Sequence, residues 1–279
     1  MTVEANPLPP SALERVLARD RRLIALALAA LVVLAWAYLL ALSRQMGDAS
    51  MSAAASMPGM PEMPGMPGMS AAGEAASLRS FALAALMWWT MMVGMMVPSA
   101  APMILLFGTV QRRQLAAESP KLRVALFTAG YLAVWAAFSV LAAGAQIALT
   151  KLALLAPMDL TVTTRVGAVL VALAGVYQLT PLKNVCLRRC RSPAEFLSSH
   201  WRPGNAGALR MGIEHGLYCV GCCWVLMGLL FVVGVMNLLW VAAIAAFVLI
   251  EKLVPYGETS AKVAGAVLLL AAAYLALSA

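Results

Sequence analysis

The stretch L-I-A-L-A-L-A-A-L-V-V-L-A-W-A-Y-L-L-A-L, residues 23–42, runs for twenty residues without a charge. As an α-helix it would rise about 30 Å, the hydrocarbon thickness of a bilayer. Arg19, Arg21 and Arg22 stand before it and Arg44 after it. With no clear small-residue cleavage site behind it, the run reads as a retained anchor rather than a signal peptide.

Working outward, six more apolar segments can be drawn: Phe81–Phe107, Val124–Thr150, Val166–Thr180, Gly207–Met236, Leu238–Leu253 and Ala261–Leu277. The expected fold is an all-α, polytopic membrane helix bundle of about seven transmembrane spans. Composition agrees, since 63% of residues are apolar and 11% charged, far from a soluble domain of this length. Basic residues gather before the first segment, after the second (Arg112, Arg113, Lys121, Arg123) and after the fourth (Lys183, Arg188, Arg189, Arg191, Arg202). If every segment crosses, these loops share one side. The positive-inside rule makes that side the cytoplasm, giving N-in and C-out in a bacterial-type inner membrane. The net charge of +8 is then a topology signal and not a nucleic-acid surface. The expected division is a basic N-terminus at 1–22, an anchor at 23–42, an extracytoplasmic Met/Pro/Gly-rich loop at 43–80 and a six-helix metal-binding domain at 81–279.

The chemistry concentrates in the fifth segment. In M-G-I-E-H-G-L-Y-C-V-G-C-C-W (211–224), Met211, His215, Cys219, Cys222 and Cys223 fall within about a third of a helix circumference. Imidazole, thiol and thioether form a soft ligand set, suited to Cu(I) and, as a second possibility, Zn(II). His215 and Cys219 are neighbours at i and i+4 and could share an ion. From His215 to Cys222 is about 10 Å along the axis, so one ideal helix cannot close all these ligands on one ion. A second segment or a second ion is required. Cysteine packing and a capping histidine are the plainer alternative.

Cys186 and Cys190 repeat the i, i+4 spacing in N-V-C-L-R-R-C-R, where Arg188, Arg189 and Arg191 are expected to favour the thiolate. The second segment reads M-M-V-G-M-M-V-P-S-A-A-P-M over 91–103. Met91, Met92, Met95, Met96 and Met103 line it as candidate thioether ligands, although methionine is also a common apolar filler. Pro98 and Pro102 remove helix hydrogen bonds and should free the carbonyls of Gly94 and Pro98 unless another group satisfies them. Met57, Met60, Met63, Met66 and Met69 recur at every third position of the loop, an array that could collect Cu(I) on an oxidising face. Glu251 and Lys252 close the sixth segment, where snorkelling and a mutual pair are equally open readings.

Four stretches together, 91–103, Y-Q-L-T-P-L-K-N-V-C-L-R-R-C-R-S-P (177–193), 212–224 and E-K-L-V-P (251–255), resemble a family of bacterial integral membrane proteins that is catalogued as a domain of unknown function and described as predicted metal-binding. The resemblance covers about residues 80 to 279. It implies metal binding, but neither a transport direction nor a reaction.

The residues point to a soft-metal-binding membrane protein acting in Cu(I) transport or as a membrane metallochaperone. Its expected partners are the lipid bilayer, a soft metal ion and a metallochaperone or membrane-complex protein, with no nucleic acid. No hydrolytic triad or organic-cofactor motif argues for an enzyme. The alternatives are a structural or assembly subunit, or a thiol–disulfide oxidoreductase using Cys219 and Cys222.

Overall fold

The computed structural model describes residues 12–55, 70–113, 120–152, 154 and 162–278. Among them the regular structure is helical: α1 (Ala12–Ala55), α2 (Ser70–Arg113), α3 (Pro120–Lys151), α4 (Thr164–Leu179), α5 (Pro181–Arg191), α6 (Pro193–His200), α7 (Gly204–Gly228), α8 (Leu230–Val233), α9 (Leu238–Leu253) and α10 (Gly257–Ser278). The loop expected at 43–80 is narrower, because α1 and α2 continue into it. Met57, Met60, Met63, Met66 and Met69 lie outside the described residues.

Among the described residues, five helical stretches are long and apolar enough to cross a membrane: Arg19–Gln45, Leu78–Arg112, Pro120–Lys151, Gly204–Val233 and Gly257–Ser278. The remaining two expected spans are α4 and α9, of 16 residues each. Helices of that length rise about 24 Å, short of the bilayer's apolar thickness. α4 is followed by α5 across a 65° bend, and the pair passes the same test only when taken together.

Local sequence explains both interruptions. Before Pro181, Thr180 is extended with ψ 147, as a residue preceding proline prefers. Its hydroxyl donates to the Tyr177 carbonyl at 2.8 Å and accepts from the Lys183 backbone amide at 3.3 Å. One side chain thus closes α4 and caps α5, whose first residue is proline. Val254, before Pro255, is likewise extended with ψ 140 and ends α9. Arg191 donates from Nη2 to the carbonyls of Val254 and Pro255, each at 2.6 Å, satisfying groups that the break leaves free.

The bundle pairs α1 with α2, α2 with α3, α3 with α7, α4 with α10 and α5 with α7. Between α3 and α7 the backbones nearly touch, since any side chain at Gly212 would run into the carbonyl of Phe127. Small residues permit this approach, which is how membrane helices gain packing when lipid is as apolar as the helix face. The break in α2 is repaired from outside. Pro98 has no amide hydrogen for the Gly94 carbonyl, and Trp36 of α1 donates its indole Nε1–H there at 3.3 Å.

Candidate functional site

The buried surfaces of α2, α3, α5, α7 and α9 converge on Cys219. On α7 itself, Cys222 and Cys223 donate their thiols to the Cys219 carbonyl at 3.1 and 3.0 Å. This i−3/i−4 bonding keeps both sulfurs on one side of the helix. From α5, Cys190 is buried in the same core as Cys219 and Cys222. From α2, Met96 places its sulfur 3.9 Å from the Cys223 sulfur. All four thiols are buried. Sulfur from α5 and α2 thus lies beside the cysteines of α7.

Two further residues hold the cluster. The Tyr131 hydroxyl on α3 lies 3.1 Å from the Met96 carbonyl, to which it donates, and 3.1 Å from Cys219 Sγ. Lys252 on α9 donates from Nζ to Cys219 Sγ and to Ser99 Oγ, each at 3.0 Å. Neither was a candidate ligand-site residue from sequence. An isolated tyrosine hydroxyl in an apolar helix carries no periodic signal. Lys252 next to Glu251 invited a local pairing that does not form. Glu251 instead meets Lys183 of α5 at 2.7 Å, both side chains being essentially inaccessible. Gln178 hydrogen-bonds Glu251 at 3.4 Å and also accepts from Lys183. A buried carboxylate survives in such a place only when paired.

The other expected ligands are buried but differently employed. Met91, Met92, Met95, Met103 and Met211 belong to the apolar core, as Met96 does; Met96 in addition brings its sulfur to 3.9 Å from a thiol. His215 sits one turn before Cys219 in a box of aromatic rings, with Phe127, Tyr131 and Phe196 centroids at 6.1, 5.8 and 5.4 Å. Its Nδ1 is buried without a hydrogen-bond partner, which leaves a nitrogen lone pair or proton uncommitted beside the cluster. His200 stacks on the far face of the same box, 4.7 Å from Phe196.

Cys186 is the half-exposed member of the five cysteines. It lies against Gly221, where a Cβ would come within 2.8 Å of its sulfur. The neighbouring arginines are engaged elsewhere. Arg188 binds Glu258 at 2.6 Å, Arg189 binds Glu195 at 3.3 Å, and Arg191 caps the α9 carbonyls.

Among the described residues no three His, Cys, Asp or Glu side chains form a ready metal centre. The sulfurs are occupied instead by hydrogen bonds to the Cys219 carbonyl, Tyr131 and Lys252. The donor chemistry is nevertheless selective. Thiols and a thioether meet, while the nearby carboxylate, Glu251, is engaged by Lys183 and Gln178. That set suits a soft ion of low coordination number and offers nothing to Mg(II) or Ca(II).

Residues 85–275 match the family described as PpoB2, copper chaperone. No curated protein and no solved structure matches the chain. The matched region contains every cysteine, Met96, Tyr131, His215 and Lys252, and it runs from α2 into α10. The chain thus belongs to the PpoB2 copper chaperone family.

Proposed function

We propose that this protein is a multi-pass membrane copper chaperone that receives Cu(I) at the Cys219 cluster and passes it to a protein partner. The observation that carries the reading is the meeting of four thiols and the Met96 thioether inside one buried core. Sulfur donors of this softness hold Cu(I) in preference to the harder divalent ions, with Zn(II) the main competitor. Membership of a copper chaperone family supports a copper-related role.

In this reading Cu(I) is cargo and the protein catalyses no covalent reaction. Two of the four thiols of Cys219, Cys222, Cys223 and Cys190 would bind the ion as thiolates, while Met96 offers a neutral sulfur and His215 an adjacent nitrogen. The half-exposed Cys186, against Gly221, offers a sulfur nearer the outside through which an ion could be exchanged. Methionines of α2 and of the 57–69 repeat would feed the cluster, and the thioether-to-thiolate order favours movement toward the thiols. The chain would lie in a bacterial inner membrane with seven crossings, N-in and C-out, α4 with α5 and α9 forming the two incomplete spans. Broken membrane helices recur where ions are handled.

The test is metal analysis of full-length protein purified in detergent and supplied with copper and zinc under reducing conditions, beside the Cys219→Ala, Cys222→Ala variant. One copper per chain, lost in a folded variant, is the expected result. Zinc in place of copper would keep the site and change the cargo. A folded parent that holds neither metal would sink the reading.

A further inference from the structure

Lys252 is a buried cation, 6% exposed, with no ion pair among the described residues. Its polar partners are the Ser99 hydroxyl and the Cys219 sulfur. The adjacent carboxylate is unavailable to it, because Glu251 is taken by Lys183 at 2.7 Å and by Gln178 at 3.4 Å. Lys183 and Glu251 cancel. Among the described residues this leaves the Lys252 ammonium without a carboxylate partner, beside a sulfur cluster. Such a charge is costly in a helix bundle unless the protein uses it.

We propose that Lys252 is the fixed counter-cation of the copper site and tunes it to a monovalent ion held by two thiolates. The proposal rests on the copper reading above and adds the basis of selectivity. When Cu(I) enters between two cysteine thiols, two Cu–S bonds form and both thiol protons leave to solvent. Copper stays in the +1 state throughout. Two thiolates and one Cu(I) carry a net charge of minus one, which the ammonium at Cys219 brings to zero. Zn(II) between the same two thiolates is already neutral. Beside Lys252 it leaves an uncompensated positive charge in a medium that solvates it poorly. The same ammonium thus strengthens Cu(I) binding and weakens Zn(II) binding.

This opposite effect on two ions separates charge compensation from mere packing. The experiment measures Cu(I), Ag(I) and Zn(II) dissociation constants by chelator competition. It uses full-length protein in detergent under reducing conditions, as the parent and as Lys252→Met, Lys252→Gln and Lys252→Arg. The neutral variants should bind Cu(I) and Ag(I) at least tenfold more weakly, with Zn(II) affinity unchanged or increased. Lys252→Arg should keep the parent's order of preference. Two neutral replacements, one apolar and one hydrogen-bonding, guard against a single variant that fails to fold. Equal losses for all three ions in folded protein would reduce Lys252 to a structural residue and overturn the proposal. Unchanged constants would overturn it as well. A parent that binds no copper would instead defeat the copper reading on which it stands.

Discussion

The ammonium of Lys252 and the sulfur of Cys219, separated by 33 residues in the chain, meet at 3.0 Å in the core. Through this contact the end of α9 is tied to the middle of α7, and through Ser99 the same nitrogen is tied to α2. Three helices that the connectivity leaves apart thereby share one polar anchor.

The Lys183–Glu251 pair should be far costlier to break than to replace. Glu251→Gln leaves a buried ammonium without a carboxylate and should destabilise by about 3–5 kcal/mol. A Lys183→Met, Glu251→Leu double variant should recover most of that loss. Thermal unfolding in detergent, read by circular dichroism, checks this; a double variant as unstable as the single one would contradict it.

Tyr131→Phe removes a hydroxyl shared by the Met96 carbonyl and the Cys219 sulfur. The expected cost is about 1 kcal/mol, with copper stoichiometry retained because the phenol only orients the sulfur. Loss of all bound copper in a folded Tyr131→Phe protein would make Tyr131 part of the ligand set itself.

Alkylation should discriminate among the cysteines. In reduced, metal-free protein a maleimide should label Cys186 first, because the other four thiols are buried. Mass spectrometry of the digested protein locates the label. A Cys186→Ser variant should lose the fast phase, and a fast phase that persists on Cys219 would mean that the core opens readily.

The α3–α7 crossing leaves no room for a side chain at Gly212. Gly212→Leu should push the helices apart, at a cost of roughly 3 kcal/mol or more, and gel filtration should show loss of the monodisperse species. Normal elution and unfolding would place the crossing elsewhere.

Much of this arrangement is readable from sequence, and the unreadable part has a common cause. Residues 23–42 announce a membrane-length helix by the absence of charge, and T-P at 180–181 and V-P at 254–255 mark where helices stop. The i, i+4 spacings of His215 with Cys219 and of Cys186 with Cys190 place candidate donors on single faces. Which faces then meet depends on contacts between distant segments. Tyr131 reaches Cys219 across 88 residues and Lys183 reaches Glu251 across 68, and no local pattern encodes either partner. The arginines around Cys186 illustrate the same limit. Proximity in sequence suggested that they act on the thiol, whereas their guanidinium groups turn to Glu258, Glu195 and the end of α9.

The indole of Trp36 on the Gly94 carbonyl fixes how α1 attaches to the rest of the bundle. α1 precedes the region that matches the family, residues 85–275, yet it docks on an acceptor that exists because Pro98 lacks an amide hydrogen. The proline therefore acts as a ready-made socket within the region that matches the family. One tryptophan at the right height plugs into it, so α1 is held to the matched region by a polar contact as well as by its packing on α2.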